Sequence, residues 1–554
     1  MQGKQNYGWI AAGLTGSVAA CLLTGGFFYE GGSDVYTQRL ISGYFSGKPE
    51  PFLYTFGFHV FISEMIKMLY QLVPAFPWYD LWTILLVSIA FVLGLSWLLK
   101  QVPNDRVGLV FLYALFMFEY FRYPEITKHA FLLAFYSLLH LVASEKKLPL
   151  RWMIFYGSTF TLGLLTRAEA GFLAVLAALP VAWISGSRGW VTNGIITART
   201  YIFLLPILFF LSFALNYPWT DADRYYLTIR PYQFTLWDFH QDSDAFCIRN
   251  RQDSVALMAA SNHFLADTAM INKKRFDAMC VKPKDKRLRD WLNYLDKDKK
   301  EITRRLAGLF SSYLWVLLFP LGVSVVIYQR EKVLVPFLSM LFAVGYFACV
   351  MTGLAIFMKT ERHVMMPLLQ GVIILCLFFW RKNSRNLFTV RTGFILWLLL
   401  AGVLLIRLSE KLQLRKDEWK QMNALFREIN QLPEGSIVCF DLYTFVKTHP
   451  ALFRDIFLKK SIVPYSFDNG FMFLAPSMRQ QALHLFQSTD FGFLYASRFK
   501  AGDRPVFFVF SRDRYKIFES MASAFYHTEL HFETIPSQLP SVSLEGNYQI
   551  YRVR

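Results

Sequence analysis

The sequence predicts a polytopic α-helical membrane protein with about 11 transmembrane helices, an interfacial helix in the first outer loop and a small extracytoplasmic α/β domain at the C-terminal end. Of 554 residues, 54% are hydrophobic and 18% aromatic, and the mean hydropathy is +0.31. The apolar residues gather in runs close to the ~20 residues that cross a bilayer. These observations exclude a single soluble domain.

The net charge of +18 does not indicate a nucleic-acid partner. Lys and Arg are concentrated in short links between apolar runs and in two hydrophilic blocks, and the sequence contains no nucleic-acid motif. The expected partners are therefore membrane lipids rather than nucleic acid.

Twelve apolar runs are candidate spans. If all twelve cross from a cytoplasmic N-terminus, the basic links 143–151 and 329–332 fall outside, although both have the composition of cytoplasmic links. Either one run does not cross or the N-terminus is outside. The runs are approximately 8–28, 53–73, 79–100, 107–121, 129–144, 150–165, 170–186, 200–216, 308–328, 333–357, 364–380 and 392–408.

The second run, 53–73, differs from the others because its polar and apolar residues separate on a helical wheel. This separation predicts a helix that lies in the membrane interface. Without it eleven spans remain, and every basic link falls on the cytoplasmic side. Twelve spans from an external N-terminus remain the alternative. The predicted polar arc contains His59, Ser63, Glu64, Lys67, Tyr70 and Gln71, and the apolar side contains Phe58, Phe61, Ile62, Met65, Met68, Leu69 and Leu72.

This topology divides the chain into two domains. Residues 1–408 form the predicted transmembrane domain, which includes the first outer loop, 29–78, and a larger outer loop, 217–305. Residues 409–554 form the predicted extracytoplasmic domain. The compact outer loops suggest a bacterial inner membrane, although a eukaryotic lumenal membrane obeys the same charge rule.

The C-terminal domain has the pattern of a small α/β fold, with strand-like segments separated by Pro, Gly and charged turns. In the larger outer loop, Cys247 and Cys280 form a disulfide or remain two free thiols, and the sequence leaves both open. The predicted elements of the domain are a helix over Asp417–Gln431 and strands over Ser436–Phe440, Phe491–Ala496, Pro505–Phe510 and Tyr548–Val553.

Charged residues in the short outer links must converge if the helices form a bundle. Carboxylates can act as a general base or bind a cation, and Arg and Lys can bind a phosphate leaving group. The alternative is a set of ordinary helix-end charges or a clamp for anionic lipid headgroups. The residues are Glu30, Asp34, Arg39 and Lys48 in the first link, Arg122, Glu125 and Lys128 in the second, Arg167 and Glu169 in the third, and Lys359, Glu361, Arg362 and His363 in the last.

The order of these parts resembles the GT-C superfamily of membrane glycosyltransferases. The resemblance rests on the acidic motif Glu30-Gly-Gly-Ser-Asp34 after the first span, the interfacial helix, and Glu125 within Tyr123-Pro-Glu-Ile-Thr127. It also rests on the domain after the last span. The resemblance implies inverting transfer of a sugar from a polyprenyl-phosphate donor to an acceptor hydroxyl on the extracytoplasmic side.

By the same resemblance, Asp34 is the expected base, with Glu30 as the fallback, and Glu125 helps to arrange the site or a divalent cation. Arg362 or Lys359 would hold the donor phosphate. The sequence leaves open whether Mg²⁺ or Mn²⁺ is needed, and whether the acceptor is a glycan, a lipid or a protein. The residues expected to bind substrate are Arg39, Lys48, His59, Arg122, Lys128, Arg167, Glu169, Lys359, Arg362 and His363.

Two other functions remain open. One is a transporter or flippase for a lipid-linked or anionic substrate, which would carry ionisable residues near the bilayer midplane. The other is a noncatalytic subunit of a machine that assembles envelope polysaccharide.

Overall fold

The fold is known from a computed structural model, and its described residues cover the first helices, parts of the larger outer loop and most of the C-terminal sheet. These residues are 2–23, 26–27, 37–39, 41–44, 48–49, 60–101, 106–142, 148–185, 224, 228–229, 231–232, 235–236, 246–261, 270–281, 283, 302–309, 334–357, 365, 367–368, 371, 402, 409, 413, 423–440, 461–466, 476–486, 504–511, 514–527, 529–535 and 548–553.

The described part of the chain before the C-terminal domain is helical. Its apolar helices overlap the predicted runs, and most of them agree with those runs to within three residues. The helices are α1 (Gln2–Leu23), α2 (Val60–Leu72), α3 (Trp78–Gln101), α4 (Arg106–Arg122), α5 (Ile126–Val142), α6 (Leu150–Thr166), α7 (Ala168–Ser185), α8 (Arg251–Ser261), α9 (Lys273–Ala278) and α10 (Leu334–Phe357).

Helices α1 and α4 run parallel to each other with a constant offset. Ser17 Oγ donates to the Ala114 carbonyl at 3.3 Å, and Cys21 Sγ donates to the Phe118 carbonyl at 3.8 Å, both across 97 residues. Helix α3, which lies between them in the chain, packs against both α1 and α4. The first helices therefore alternate in direction, as in an up-and-down bundle.

Helix α5 lies at the centre of this bundle and packs on α3, α6 and α7. Gly163 of α6 allows the closest approach, because a Cβ there would lie 2.7 Å from the Ala130 carbonyl of α5. Ser137 and Thr159 also share a hydrogen bond of 2.7 Å across the α5–α6 contact. Close packing at small residues together with buried hydroxyl pairs is typical of helices that associate in a membrane.

Among the described residues, one helix is long and apolar enough to cross a membrane, over Trp78–Lys100. Four shorter apolar stretches lie in α1, α5, α7 and α10. The sequence predicts about eleven spans, whereas one described helix has the length and apolar composition to cross a membrane.

Helix α2 has 13 residues, or about 20 Å at ~1.5 Å per residue, which is short of the ~30 Å hydrocarbon core. Its apolar residues Phe61, Met68 and Leu72 are exposed on one side. Two residues of the predicted polar arc, Ser63 and Tyr70, are buried against the protein instead. The predicted polar arc therefore faces partly into the protein, and the exposed side of the helix carries large apolar residues.

The C-terminal region forms a five-stranded mixed sheet in the order β2-β1-β3-β5-β4. Strand β1 is parallel to β2 and β3, whereas β5 is antiparallel to both β3 and β4. The strands are β1 (Ile437–Phe440), β2 (Val463–Ser466), β3 (Val506–Ser511), β4 (Phe532–Thr534) and β5 (Tyr548–Val553), and the helices are α11 (Pro476–Phe486) and α12 (Tyr515–Tyr526).

Three of the four predicted strands are present as β1, β3 and β5, and residues 423–429 of the predicted helix are helical. The fourth predicted strand, 491–496, lies outside the described residues. Strand β1 lies between β2 and β3 and is completely buried, and burial raises the pKa of the Cys439 thiol.

Residues 246–261 and 270–281 form a small unit that we call the outer-loop platform. A disulfide joins Cys247 to Cys280, with Cα atoms 5.3 Å apart, so one of the two alternatives left open by the sequence is present. The side-chain oxygen of Asn272 caps α9 by accepting from the Arg275 amide at 3.0 Å. The platform packs against α12 of the C-terminal sheet.

Candidate functional site

The corner between α4 and α5 is the most polar buried part of the described bundle. Arg122, the last residue of α4, is 2% exposed. Its Nη1 donates to the Cys21 carbonyl at 3.3 Å and to the Gly26 carbonyl. The offset of 97 residues between α1 and α4 explains this contact, because it brings Arg122 level with the chain just beyond the end of α1.

Both groups in this contact benefit from it. The last carbonyls of a helix have no partner inside the helix, and a cation there also meets the negative end of the helix dipole. Gly26, with φ at +104°, adopts the left-handed conformation that allows its amide to bond the Cys21 carbonyl at 2.8 Å. Arg122 therefore fixes how the chain leaves α1, four residues before Glu30.

Glu125 begins α5. It is buried at 3% exposure, and its two carboxylate oxygens accept from Thr127 Oγ1 at 2.7 Å and from the Lys128 amide at 2.9 Å. This is the arrangement of a helix cap, in which a carboxylate satisfies an amide of the first turn. The contacts of Glu125 suit a residue that positions the corner.

Lys128 and His129 follow in the first turn of α5 and are both buried. Lys128 Nζ donates to the Tyr123 carbonyl at 3.4 Å and lies 5.5 Å from the centre of the Tyr120 ring. Among the described residues, Arg122 and Lys128 are the buried cations of this corner, and Glu125 is the buried carboxylate beside them. Guanidinium and ammonium groups form charge-assisted hydrogen bonds with anions such as a phosphate ester.

Arg39 of the first outer loop is also buried, at 6% exposure, and its guanidinium lies 4.8 Å from the centre of the Tyr44 ring. Nearby, the Tyr79 amide donates to the Tyr70 hydroxyl at 3.2 Å. Burial raises the pKa of Tyr70 to about 12, partly opposed by that amide, and the Asp80 carboxylate raises it further while Arg39 lowers it. Arg39, Tyr70 and Asp80 thus form a second polar group where α2 meets α3.

Asp80 and His129 were not predicted as site residues, and neither was the hydrogen bond that the Tyr70 hydroxyl accepts. Asp80 falls within the apolar run 79–100, so it resembles an ordinary helix-end charge, although its 3% exposure marks it as buried. A carboxylate in the first turn of a long apolar helix was the signal that could have identified it.

The other predicted site residues differ in their surroundings. Lys48 is exposed, Arg167 is half-buried between α6 and α7, and Glu169 is exposed on α7. The Lys48 backbone lies close to Gly43, whose φ of +76° favours glycine. The remaining predicted residues, Glu30, Asp34, His59, Lys359, Glu361, Arg362 and His363, lie outside the described residues.

In the part of the chain that the structure describes, no group of three or more His, Cys, Asp or Glu side chains could hold a metal ion. Comparisons with protein-family models, with curated proteins and with solved structures found no match.

Proposed function

We propose that this chain is an integral-membrane glycosyltransferase that moves a sugar from a polyprenyl-phosphate donor to an acceptor hydroxyl at the outer membrane face. The contact between Arg122 and the end of α1 carries the proposal, because it links a buried cationic corner to the segment that leads into Glu30 and Asp34. Donor phosphate and acceptor hydroxyl need a cation and a base within reach of each other.

The placement of ionisable residues supports a membrane setting. In α1, α3–α7 and α10, every Asp, Glu, Lys, Arg and His lies in an end turn, and none lies in the middle. If the N-terminus is cytoplasmic, the described inner ends carry basic residues without a carboxylate, and the outer ends carry both signs of charge. The inner residues are Lys4, Lys100, Arg106, His140 and Arg151; the outer ones are Asp80, Glu119, Arg122, Lys128, His129 and Glu169.

The platform supports an extracytoplasmic location for the hydrophilic parts. Its disulfide is typical of an oxidising compartment such as the periplasm or the lumen of the secretory pathway. The platform also contacts α12, so both lie on one side of any membrane that the chain crosses. This requires an even number of crossings between them, and the four apolar runs between 308 and 408 meet that requirement.

In the proposed reaction, Asp34 removes the proton of the acceptor hydroxyl as the oxygen attacks the sugar carbon, with Glu30 as the fallback base. The polyprenyl phosphate leaves, and Arg and Lys side chains stabilise its negative charge. Among the described residues, Arg39, Arg122 and Lys128 are the buried cations of the two polar groups, and Glu125 keeps the start of α5 in position. Lys359 and Arg362 remain further proposed phosphate ligands.

The absence of ionisable residues from the middle of α1, α3–α7 and α10 argues against the transporter or flippase alternative. A noncatalytic role in polysaccharide assembly would require neither Asp34 nor Glu30. The three functions therefore predict different outcomes in one assay of polyprenyl-phosphate release and donor movement.

The test uses purified full-length protein in lipid nanodiscs with a panel of polyprenyl-phosphate sugars and candidate acceptors. We expect acceptor-dependent release of polyprenyl phosphate, and Asp34→Asn should lower its rate by roughly 10²–10⁴-fold. Glu529→Gln, at a carboxylate that is 90% exposed on the C-terminal domain, is the matched control and should keep full activity.

A flippase would move intact donor across the bilayer without releasing polyprenyl phosphate, and a noncatalytic subunit would do neither. Full turnover by Asp34→Asn would reject the assigned base, and full turnover by Glu30→Gln as well would reject the fallback. Addition of EDTA followed by Mg²⁺ or Mn²⁺ determines whether a divalent cation takes part.

A further inference from the structure

The outer-loop platform contacts the last turn of α12 in the C-terminal domain through two separate helices. From α8, Gln252 Nε2 donates to the Ala524 carbonyl at 2.9 Å. From α9, the Arg275 guanidinium lies 4.7 Å from the centre of the Phe525 ring. Ala524 and Phe525 are neighbours in the last turn of α12. The hydrogen bond and the cation–π contact therefore form together only when α8 and α9 keep a fixed distance from each other.

The disulfide sets that distance. Cys247 lies four residues before α8 and Cys280 lies two residues after α9. The Cys247 amide also donates to the Met279 carbonyl at 3.0 Å, alongside the covalent link. A covalent bond between a residue before α8 and a residue after α9 restricts the motion of both helices at once.

Contacts within the platform, and from Tyr232 beside it, support the same two helices. The Tyr232 hydroxyl donates to Asp277 Oδ1 at 2.6 Å, and the Tyr232 and Phe276 rings stack with centroids 5.3 Å apart. The Arg249 guanidinium pairs with the buried Asp253 carboxylate at 3.0 Å, next to the start of α8. These contacts hold each half of the platform, and the disulfide joins the halves.

We propose that the Cys247–Cys280 disulfide is an oxidative modification that creates the docking surface for the C-terminal domain, so that the redox state of the outer compartment controls docking. The proposal does not depend on glycosyl transfer. It identifies the platform as an intramolecular interaction site whose partner is the last turn of α12.

The chemistry is thiol–disulfide exchange with an oxidised dithiol protein. One platform thiolate attacks the oxidant's disulfide and forms a mixed disulfide, releasing one oxidant thiolate. The second platform thiolate then attacks the platform sulfur of that mixed disulfide and expels the other oxidant thiolate. Two electrons pass to the oxidant, which leaves as a dithiol after taking up the two protons that the platform thiols release.

The reverse reaction is accessible from solvent, because Cys247 is exposed and Cys280 is half-buried. A reducing dithiol can attack Cys247 first, with Cys280 leaving as a thiolate, and its second thiol then releases Cys247. Among the described cysteines, Cys21, Cys349 and Cys439 carry thiols with no disulfide bond for a dithiol to reduce, so reduction acts at Cys247–Cys280.

The test measures hydrogen–deuterium exchange of the full-length protein in nanodiscs before and after mild reduction with dithiothreitol, with alkylation and mass spectrometry to count free thiols. After reduction we expect the amides of the last turn of α12 and of α9 to exchange about tenfold faster or more. The amides of β1 and β3 should keep their protection, because the sheet has its own core.

Two variants sharpen the test. Cys247→Ser with Cys280→Ser should reproduce the faster exchange without reductant, and reduction of the native protein decides the matter if this variant does not accumulate. Gln252→Ala with Arg275→Ala keeps the disulfide but removes both contacts with the last turn of α12. The amides of that turn should therefore exchange faster even in the oxidised protein. Cys349→Ser changes a free cysteine outside the platform and is the control.

Free thiols at positions 247 and 280 in protein isolated without reductant would overturn the proposal. Unchanged exchange of α12 after complete reduction would do so as well, and so would equal loss of protection throughout the sheet, which means unfolding rather than undocking. Faster exchange confined to the platform and the last turn of α12 supports it.

Discussion

The α4–α5 corner and the outer-loop platform both depend on an arginine, but the two arginines have different partners. Arg122 is buried and donates to main-chain carbonyls at the end of α1. Arg275 is half-buried and lies over the Phe525 ring. Loss of Arg122 would remove charge-assisted hydrogen bonds to main-chain carbonyls, whereas loss of Arg275 would remove only a cation–π contact with a ring.

The comparison shows how each region obtains its rigidity. The bundle corner is held by hydrogen bonds from a buried charged side chain to main-chain carbonyls. The platform is held by a covalent bond and by contacts that are individually weak. We therefore expect single substitutions to have large effects at the corner and small effects at the platform surface.

The largest effect is expected for Arg122→Ala. The change removes a donor from two carbonyls near the end of α1, at about 1.5–3 kcal/mol for each charge-assisted bond, so the free energy of unfolding should fall by about 3–6 kcal/mol. The measurement is chemical unfolding of the purified protein in detergent micelles, followed by circular dichroism.

Arg275→Ala is the matched substitution at the platform, and it should cost only about 0.5–1 kcal/mol. Equal losses for the two variants would mean that the surroundings of the two arginines do not differ as the contacts suggest. Arg122→Lys keeps the charge but loses the forked geometry, and it should recover only part of the stability.

A smaller effect is expected for Gly163→Leu. Even a Cβ at this position would lie 2.7 Å from the Ala130 carbonyl, so the α5–α6 contact must open, at about 1–3 kcal/mol. Gly345→Leu on α10 is the control, because nothing described lies within 4 Å of its added Cβ. The two variants are compared by midpoint of thermal unfolding, and a loss at both positions would show a general intolerance of bulk in these helices.

Sequence patterns predicted the central strands because each is a short apolar run rich in β-branched and aromatic residues. The runs Ser436–Phe440, Pro505–Phe510 and Tyr548–Val553 correspond to β1, β3 and β5. Strand β2 contains Pro464 and β4 has three residues, so both form only because a neighbouring strand pairs with them. Helix α12 is absent from the prediction, although its apolar residues recur at helical spacing.

The site was predictable only in part, for a similar reason. Charges next to apolar runs identified Arg122, Glu125 and Lys128, and the structure brings these three residues to one corner. The contacts of Arg122 depend on the parallel packing of α1 and α4. That packing brings together residues 97 apart in the chain, and local sequence patterns do not reveal such pairs. The polar group of Arg39, Tyr70 and Asp80 depends likewise on how α2 meets α3.

The smallest effect at the corner is expected for Glu125→Ala. The substitution removes a helix cap, whose loss costs about 0.5–2 kcal/mol, because the Lys128 amide and Thr127 hydroxyl lose their acceptors. Glu125→Gln keeps one carboxamide oxygen as an acceptor and should recover most of this stability. The measurement is again chemical unfolding in micelles, with hydrogen exchange in the first turn of α5 as a local reading.

The two Glu125 variants also separate capping from chemistry. If Glu125 acts only by positioning, Glu125→Gln should keep both the stability and the rate of polyprenyl-phosphate release, because the cap is restored without the charge. If the charge itself takes part, Glu125→Gln should be stable and slow. A stable Glu125→Ala variant would contradict the cap itself and would leave the corner dependent on Arg122 and Lys128 alone.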